Sequence, residues 1–344
     1  MKNQQRDGES DVESQGLISR RCFELLALGL MLGTGVDAAA ANDGLKRAHY
    51  ATLGPGVPGC PPVSASLAFA KGMTELGYSP ESLVESRCFS ELAELPGLAA
   101  ELVKGKPALI VVWGSVVAVQ AIRQASPSVP IVFVDVSDPV RFGLVESLGH
   151  PGGNSTGISN NLDEVQTQKV QILRDALPRA TRLALLCNLA NPLQADYLRI
   201  LQGAAQKLRF ETHTYSVQKP GDLEGAFAAM AADRMDAMAV LPDAWFFPIR
   251  QQVIALAGRH QIPAIYGNSL WPDLGALYTY GADLDDMSYR AATYVDKILR
   301  GAKPADIPVE LPTKFNFVIN AKTARDIGIV IPRALMLRAT RVIE

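Results

Sequence analysis

Small and acidic residues stand where the apolar runs of this chain stop. The run Leu109–Trp113 gives way to Gly114-Ser115, and Ile131–Val136 leads to Asp138-Pro139. Leu183–Cys187 is followed by Asn188, with Asn191 just beyond, and Ala237–Leu241 ends in Pro242-Asp243. Amides and a hydroxyl at the start of a helix can hold a carboxylate against the positive helix end, which suits Gly114 and Ser115. Ser115 would equally serve as a plain helix cap. Asp138 and Asp243 could accept bonds from a ligand ammonium group, or lock their own loops as Asx-turns. Asn188 is the better ligand contact and Asn191, before Pro192, the better cap.

Aromatic residues gather at the same strand ends. Trp113, Trp245 and Trp271 all fall at or just after such ends, with Tyr266, Tyr278, Tyr280, Phe246 and Phe247 near them in sequence. A pocket with a ring-lined wall and a few directed polar groups would use them this way, whereas core packing would scatter them. Phe247 leads into a helix and is assigned to the core. The expected ligand contacts are Gly54, Trp113, Gly114, Ser115, Asp138, Asn188, Asp243, Trp245, Tyr266 and Tyr280. No Ser/His/Asp order or nucleophile elbow is present. His49 and His213 fall in strands and read as structural, and His150 sits in a Pro/Gly loop. Asp285-Asp286 reads as a helix start, so no catalytic residue is assigned.

These residues need a scaffold that brings strand ends together. Strand and helix patterns alternate from His49–Leu53 onward: a helix over Ser66–Leu76, a strand over Leu83–Cys88, a helix over Leu92–Lys104. The unit Leu109–Trp113, Val116–Gln124, Ile131–Val136 follows, then a short strand near Ser155–Ser159. This order predicts a parallel α/β sheet with right-handed crossovers, and open sheets of that kind bind ligands beyond their carboxyl ends. A second set repeats the rhythm: a helix Glu164–Ala176, a strand Leu183–Cys187, a helix Leu193–Leu208, then Glu211–Val217 and Leu223–Ala232. Strands Ala237–Leu241 and Ala264–Tyr266 flank a helix over Ile249–His260. ALIVVWGS matches AMAVLPDA, and PIVFVDVSDP matches PAIYGNS, which predicts two similar lobes. The remainder reads as a strand Leu277–Tyr280, a helix Ser288–Leu299, a connection Pro304–Thr313, a strand Phe315–Asn320 and a final helix from Ala321. Such a tail should pack on the existing lobes and make both discontinuous.

At 344 residues, 48% hydrophobic and 20% charged, the chain is long enough for two cores. A formal net charge of −2 with no basic block argues against nucleic acid as partner. The four cysteines and four histidines show neither C-x-x-C nor H-x-x-x-H spacing, so neither metal nor cofactor is expected. Ser19-Arg20-Arg21 precedes an apolar stretch, Leu25–Val36, and then Ala38–Ala41. Paired arginines, a short apolar core and a small-residue cleavage site predict a twin-arginine export signal over residues 1–41. The apolar stretch is well short of the roughly 20 residues that span a bilayer. Cys22 precedes the apolar core and is not a lipoprotein cysteine. Export would leave Cys60, Cys88 and Cys187. Cys187 reads as a buried thiol, and Cys60 with Cys88 could pair, which the periplasm permits.

Several long stretches resemble a known family: LAAELVKGKPALIVVWG, PIVFVDVSDPVRFGLVESLGHPGGNSTGIS, LLCNLANP, AATYVDKILRGAKPADIPVELPTKFNFVIN and the ending Ile329–Glu344. They are similar to substrate-binding proteins of ABC importers, in the tryptophan/tyrosine-type branch. The resemblance implies a type I periplasmic binding protein fold: two Rossmann-like lobes with parallel sheets, joined by a three-segment hinge, with a ligand enclosed between them. It implies lobes of residues 42–158 plus about 282–308, and 159–281 plus about 309–344. It also implies a monomer in the periplasm that hands a small solute to an ABC permease in the inner membrane. An aromatic or branched amino acid is the first expectation for the solute. The opening loop GPGVPGCPP and Asn268–Pro272 depart from the family pattern. A periplasmic sensor subunit remains the alternative, and an α/β enzyme a more distant one.

Overall fold

The computed structural model describes residues 46–56, 63–79, 82–267 and 271–344. The export segment, Cys60 and Asn268 lie outside the described residues. The chain divides into two compact units. Among the described residues, unit 1 takes those up to Val134, with 143–157 and 288–309, and unit 2 takes 135–142, 158–287 and 310–344.

Unit 1 is built on strands β1 (Tyr50–Pro55), β2 (Leu83–Phe89), β3 (Leu109–Trp113), β4 (Ile131–Val136) and β5 (Ser155–Ser159), in the order β2-β1-β3-β4-β5. The last residues of β4 and β5 already belong to unit 2. Strands β3 and β4 are near-continuous apolar runs because helices cover both faces of a parallel sheet. Helices α1 (Val63–Glu75), α2 (Leu95–Lys104) and α3 (Val116–Ala125) form the crossovers. A short 3-10 turn, Leu92–Glu94, precedes α2, so the expected single helix from Leu92 starts as two pieces. Gly157 is demanded by its neighbours: a β-carbon there would lie 1.9 Å from the Phe133 carbonyl oxygen on β4. Cys88 on β2 is disulfide-bonded, its partner lying outside the described residues.

Unit 2 carries a larger sheet. Its strands are β6 (Arg182–Cys187), β7 (Glu211–Ser216), β8 (Ala237–Val240), β9 (Ala264–Tyr266), β10 (Tyr278–Ala282), β11 (Phe315–Asn320) and β12 (Arg341–Ile343). The order is β12-β11-β10-β9-β8-β6-β7, with only the β10–β11 pairing antiparallel among those described. The run β7-β6-β8-β9 repeats β2-β1-β3-β4 of unit 1, so the matched rhythm in the sequence reflects matched topology. Period-two alternation sorts the strand residues between two cores. Leu183, Leu185, Cys187, Ala237 and Ala239 face helices α4 (Leu162–Ala176) and α5 (Gln194–Lys207). Ala184, Leu186, Met238 and Val240 face α6 (Asp222–Ala232) and α7 (Arg250–Arg259).

Helix α8 (Leu284–Leu299) begins four residues before the expected start at Ser288. Asp285 and Asp286 occupy its first turn, where negative charge is favourable, and Asp283 accepts the Asp286 amide at 3.0 Å. The expected closing helix is instead two short ones, α9 (Ala321–Asp326) and α10 (Arg333–Arg338), followed by β12. Gly328 and Pro332 break the helical pattern between them. Among the described residues no helix is long and apolar enough to cross a membrane, and no group of side chains could hold a metal ion.

Candidate functional site

Each sheet reverses its strand order at one place: between β1 and β3 in unit 1, and between β6 and β8 in unit 2. Loops leaving such a switch point diverge to opposite faces and leave a crevice at the carboxyl ends of the strands. Each unit therefore holds its own set of candidate residues at its switch point.

In unit 1 the switch point carries Gly54 near the end of β1 and Trp113-Gly114-Ser115 at the end of β3. Gly114 sits at φ +62, a conformation that glycine adopts freely, and turns the chain from strand to helix. Ser115 caps α3, its Oγ accepting the Ala118 amide at 3.1 Å. The hydroxyl hydrogen remains a donor. Trp113 is 3% exposed and points inward. Its ring packs edge-on against Phe69 at 5.6 Å, and its Nε1 donates to Ser288 Oγ at 3.2 Å.

In unit 2 the switch point centres on Asp243. Asn191 Nδ2 donates to its Oδ2 at 3.2 Å, and Gln194 Nε2 does so at 3.3 Å. The Trp245 amide donates to Oδ1 at 2.9 Å, and Asn188 adds a further side-chain bond. No lysine, arginine or histidine among the described residues pairs with this carboxylate. Burial pushes its pKa up to about 6, with those donors pulling the other way. The same charge, after burial itself, raises the Cys187 thiol to about 11. Asn191 is thus both a local cap, its Oδ1 accepting the Leu193 amide at 3.0 Å, and a holder of Asp243.

Residues 135–142 bring a second acidic stretch to unit 2. Asp135 and Asp138 have φ of +60 and +32, an uncommon conformation for residues other than glycine. Asp138 Oδ1 accepts the Arg141 amide at 3.2 Å, so the loop-locking use of this residue is present. Arg141 bonds Asp196, and Phe142 packs edge-on against Tyr197 at 6.1 Å. Tyr197 bonds Ser137, while burial, then the charges of Asp243, Asp135 and Asp138, raise its hydroxyl to about 12.

The aromatics divide. Trp245, 6% exposed, packs edge-on with Phe246 at 5.4 Å. Tyr266 is 1% exposed and stacks on Trp271 at 4.8 Å, in the core that faces α6 and α7. Tyr280 is half-buried and stacks on Phe315 at 5.9 Å. Lys169 and Gln194 are functional candidates that sequence reasoning passed over. Lys169 is wholly buried on α4, and its Nζ donates to the Val240 carbonyl at 2.8 Å, three residues before Asp243. Burial lowers its pKa to about 7.

Two mostly parallel α/β sheets with matched strand order define a type I periplasmic binding protein fold. The family model for ABC transporter substrate binding proteins matches residues 66–343, and the chain belongs to that family. It is a family of ligand-binding proteins, not enzymes. A tyrosine-binding protein of Clostridioides difficile (strain R20291) is 25% identical over 264 residues, covering 76% of this chain and 75% of its own. The structure of an ABC domain in complex with L-Trp from Streptococcus pneumonia is 22% identical, covering 87% of this chain and all of that one, with a TM-score of 0.78. A ligand-free, open structure of a substrate binding protein with adhesive properties from Clostridium difficile is 21% identical and covers 86% of this chain and 99% of its own, with a TM-score of 0.62.

Proposed function

We propose that the chain captures an aromatic amino acid in the periplasm and delivers it to the membrane permease of an ABC importer. The observation that carries this reading is the buried Asp243 carboxylate, surrounded by neutral donors and with no cation paired to it among the described residues. A buried charge without a counter-ion is costly, and a ligand ammonium group supplies the missing partner. The reading assigns the ligand carboxylate to the Gly114 amide and Ser115 hydroxyl at the start of α3. A zwitterion with an apolar side chain carries one group for each set. The tyrosine- and L-Trp-binding relatives support an aromatic side chain.

Export is supported by Arg20-Arg21 ahead of an apolar stretch and by the disulfide at Cys88, which persists in an oxidising compartment. The test is a thermal-shift and calorimetric screen with L-tyrosine, L-tryptophan, L-leucine and L-valine. A true ligand at a hundred times its Kd stabilises the folded state by about 2.7 kcal/mol, and Asp243→Asn should abolish the effect. If none of the four raises the melting temperature, the amino-acid reading fails.

A further inference from the structure

We infer that Gln194 is a specificity-determining residue of unit 2, fixing Asp243 in place and offering its own carboxamide oxygen to an N–H of the ligand amine. The inference rests on the amino-acid reading above.

Gln194 opens α5 and is fully buried, at 0% exposed. Its Nε2 donates to the Pro242 carbonyl at 2.9 Å and to Asp243 Oδ2 at 3.3 Å. Both acceptors lie on the loop that leaves β8. Turning the carboxamide over would set its oxygen against two acceptors, so the neighbours dictate its orientation. That orientation leaves Oε1 buried with no hydrogen-bond partner.

Buried acceptors are nearly always paired, and one left open marks a place for a donor that arrives from outside. Asp243 already receives bonds from Asn188, Asn191, Gln194 and Trp245. A carboxylate has about four lone-pair directions, so Asp243 contributes chiefly charge. The open acceptor beside it is Gln194 Oε1, bonded to the same carbon as the nitrogen that holds Asp243. A primary ammonium group satisfies both: its charge offsets Asp243, and one N–H reaches Oε1. A quaternary ammonium group meets only the first requirement, and a des-amino acid meets neither.

Calorimetry on the full chain should use L-tryptophan, its N,N,N-trimethyl betaine and 3-indolepropionate. The betaine keeps the charge and removes the N–H. The wild type should bind L-tryptophan at least about tenfold more tightly than the betaine, the scale of one lost hydrogen bond to a buried acceptor. Gln194→Met removes the carboxamide at similar volume. It should shrink that gap to within about threefold while leaving the affinity for 3-indolepropionate unchanged. A purely structural role would weaken all three ligands together. An unchanged gap in Gln194→Met, or a betaine that the wild type binds as tightly as L-tryptophan, overturns the inference and leaves the amino-acid reading standing. Failure of the wild type to bind any of the three, or the four amino acids of the screen, overturns the amino-acid reading and this inference with it. Should Gln194→Met not fold, the wild-type ligand series decides.

Discussion

The ammonium group of Lys169, 1% exposed, is held by a backbone carbonyl, that of Val240, at 2.8 Å. The pairing of β8 with β9 ends one residue earlier, at Ala239 with Ile265. Lys169 thus caps the sheet where two neighbouring strands part, and it steadies the chain just before Asp243.

That position has a pH signature. In the folded chain Lys169 loses its proton near pH 7, and in the unfolded chain near pH 10.4. Between those values the unfolded state binds the extra proton, so this residue makes stability rise with pH. The size is at most about 1.4 kcal/mol per pH unit. Lys169→Met removes the contribution, so the stability difference between wild type and variant should move towards the wild type by about 2 kcal/mol from pH 7 to pH 9. Urea denaturation at the two pH values measures it. Parallel pH profiles for the two proteins would show that Lys169 stays charged.

Asp243 acts in the opposite direction. Its carboxyl holds a proton up to about pH 6 when folded but only to about pH 3.9 when unfolded. The folded state binds more protons between those values, so stability falls as pH rises through that window. Relative to the wild type, Asp243→Asn should gain up to about 3 kcal/mol between pH 4 and pH 7. Thermal melts of the ligand-free proteins test this, and a constant offset across the range would contradict it.

The Trp113 indole and Ser288 hydroxyl form a buried pair within unit 1. Ser288→Ala leaves the indole N–H without its partner and should cost about 1–3 kcal/mol. Combined with Trp113→Phe, the two losses should be less than additive, because the second change removes the group the first one orphaned. Full additivity in denaturant melts would show that the pair is not coupled.

Gly157 tolerates no side chain, since a β-carbon would overlap the Phe133 carbonyl. Gly157→Ala should destabilise by at least about 3 kcal/mol, the range of severe overpacking and backbone strain. A loss below about 1 kcal/mol would mean that β4 can retreat from β5 at little cost.

The architecture was legible because its signals are local. Apolar runs such as Ile131–Val136, set between Pro130 and Pro139, match observed strands to the residue. The repeated rhythm of the two halves corresponds to a repeated strand order. Strand β12 was not legible: Arg341–Ile343 is short and only half-buried, and it exists because β11 offers an edge. The acid and amide side chains at strand ends were visible, but their hydrogen-bonding roles were not. Asn191, read as a cap, also holds Asp243, and Gln194 was overlooked because a glutamine in a helix's first turn usually faces water. Lys169 escaped notice for the same reason, since only tertiary packing tells a buried lysine from a solvated one. Tyr266 was visible as a strand-end aromatic, while its stacking on Trp271 depends on a loop whose path the sequence does not disclose.

Neither unit is a continuous stretch of chain, and that governs the order in which the protein can be made. Unit 1 lacks its third segment until residue 309 has been synthesised, and unit 2 lacks β11 and β12 until residue 343. At about 5–20 residues per second, both cores wait several seconds more once residue 287 has been added. Early-made strands such as β1 and β3 must meanwhile remain without their final cover. A ribosome stalled after residue 287 would carry two incomplete domains and no finished one.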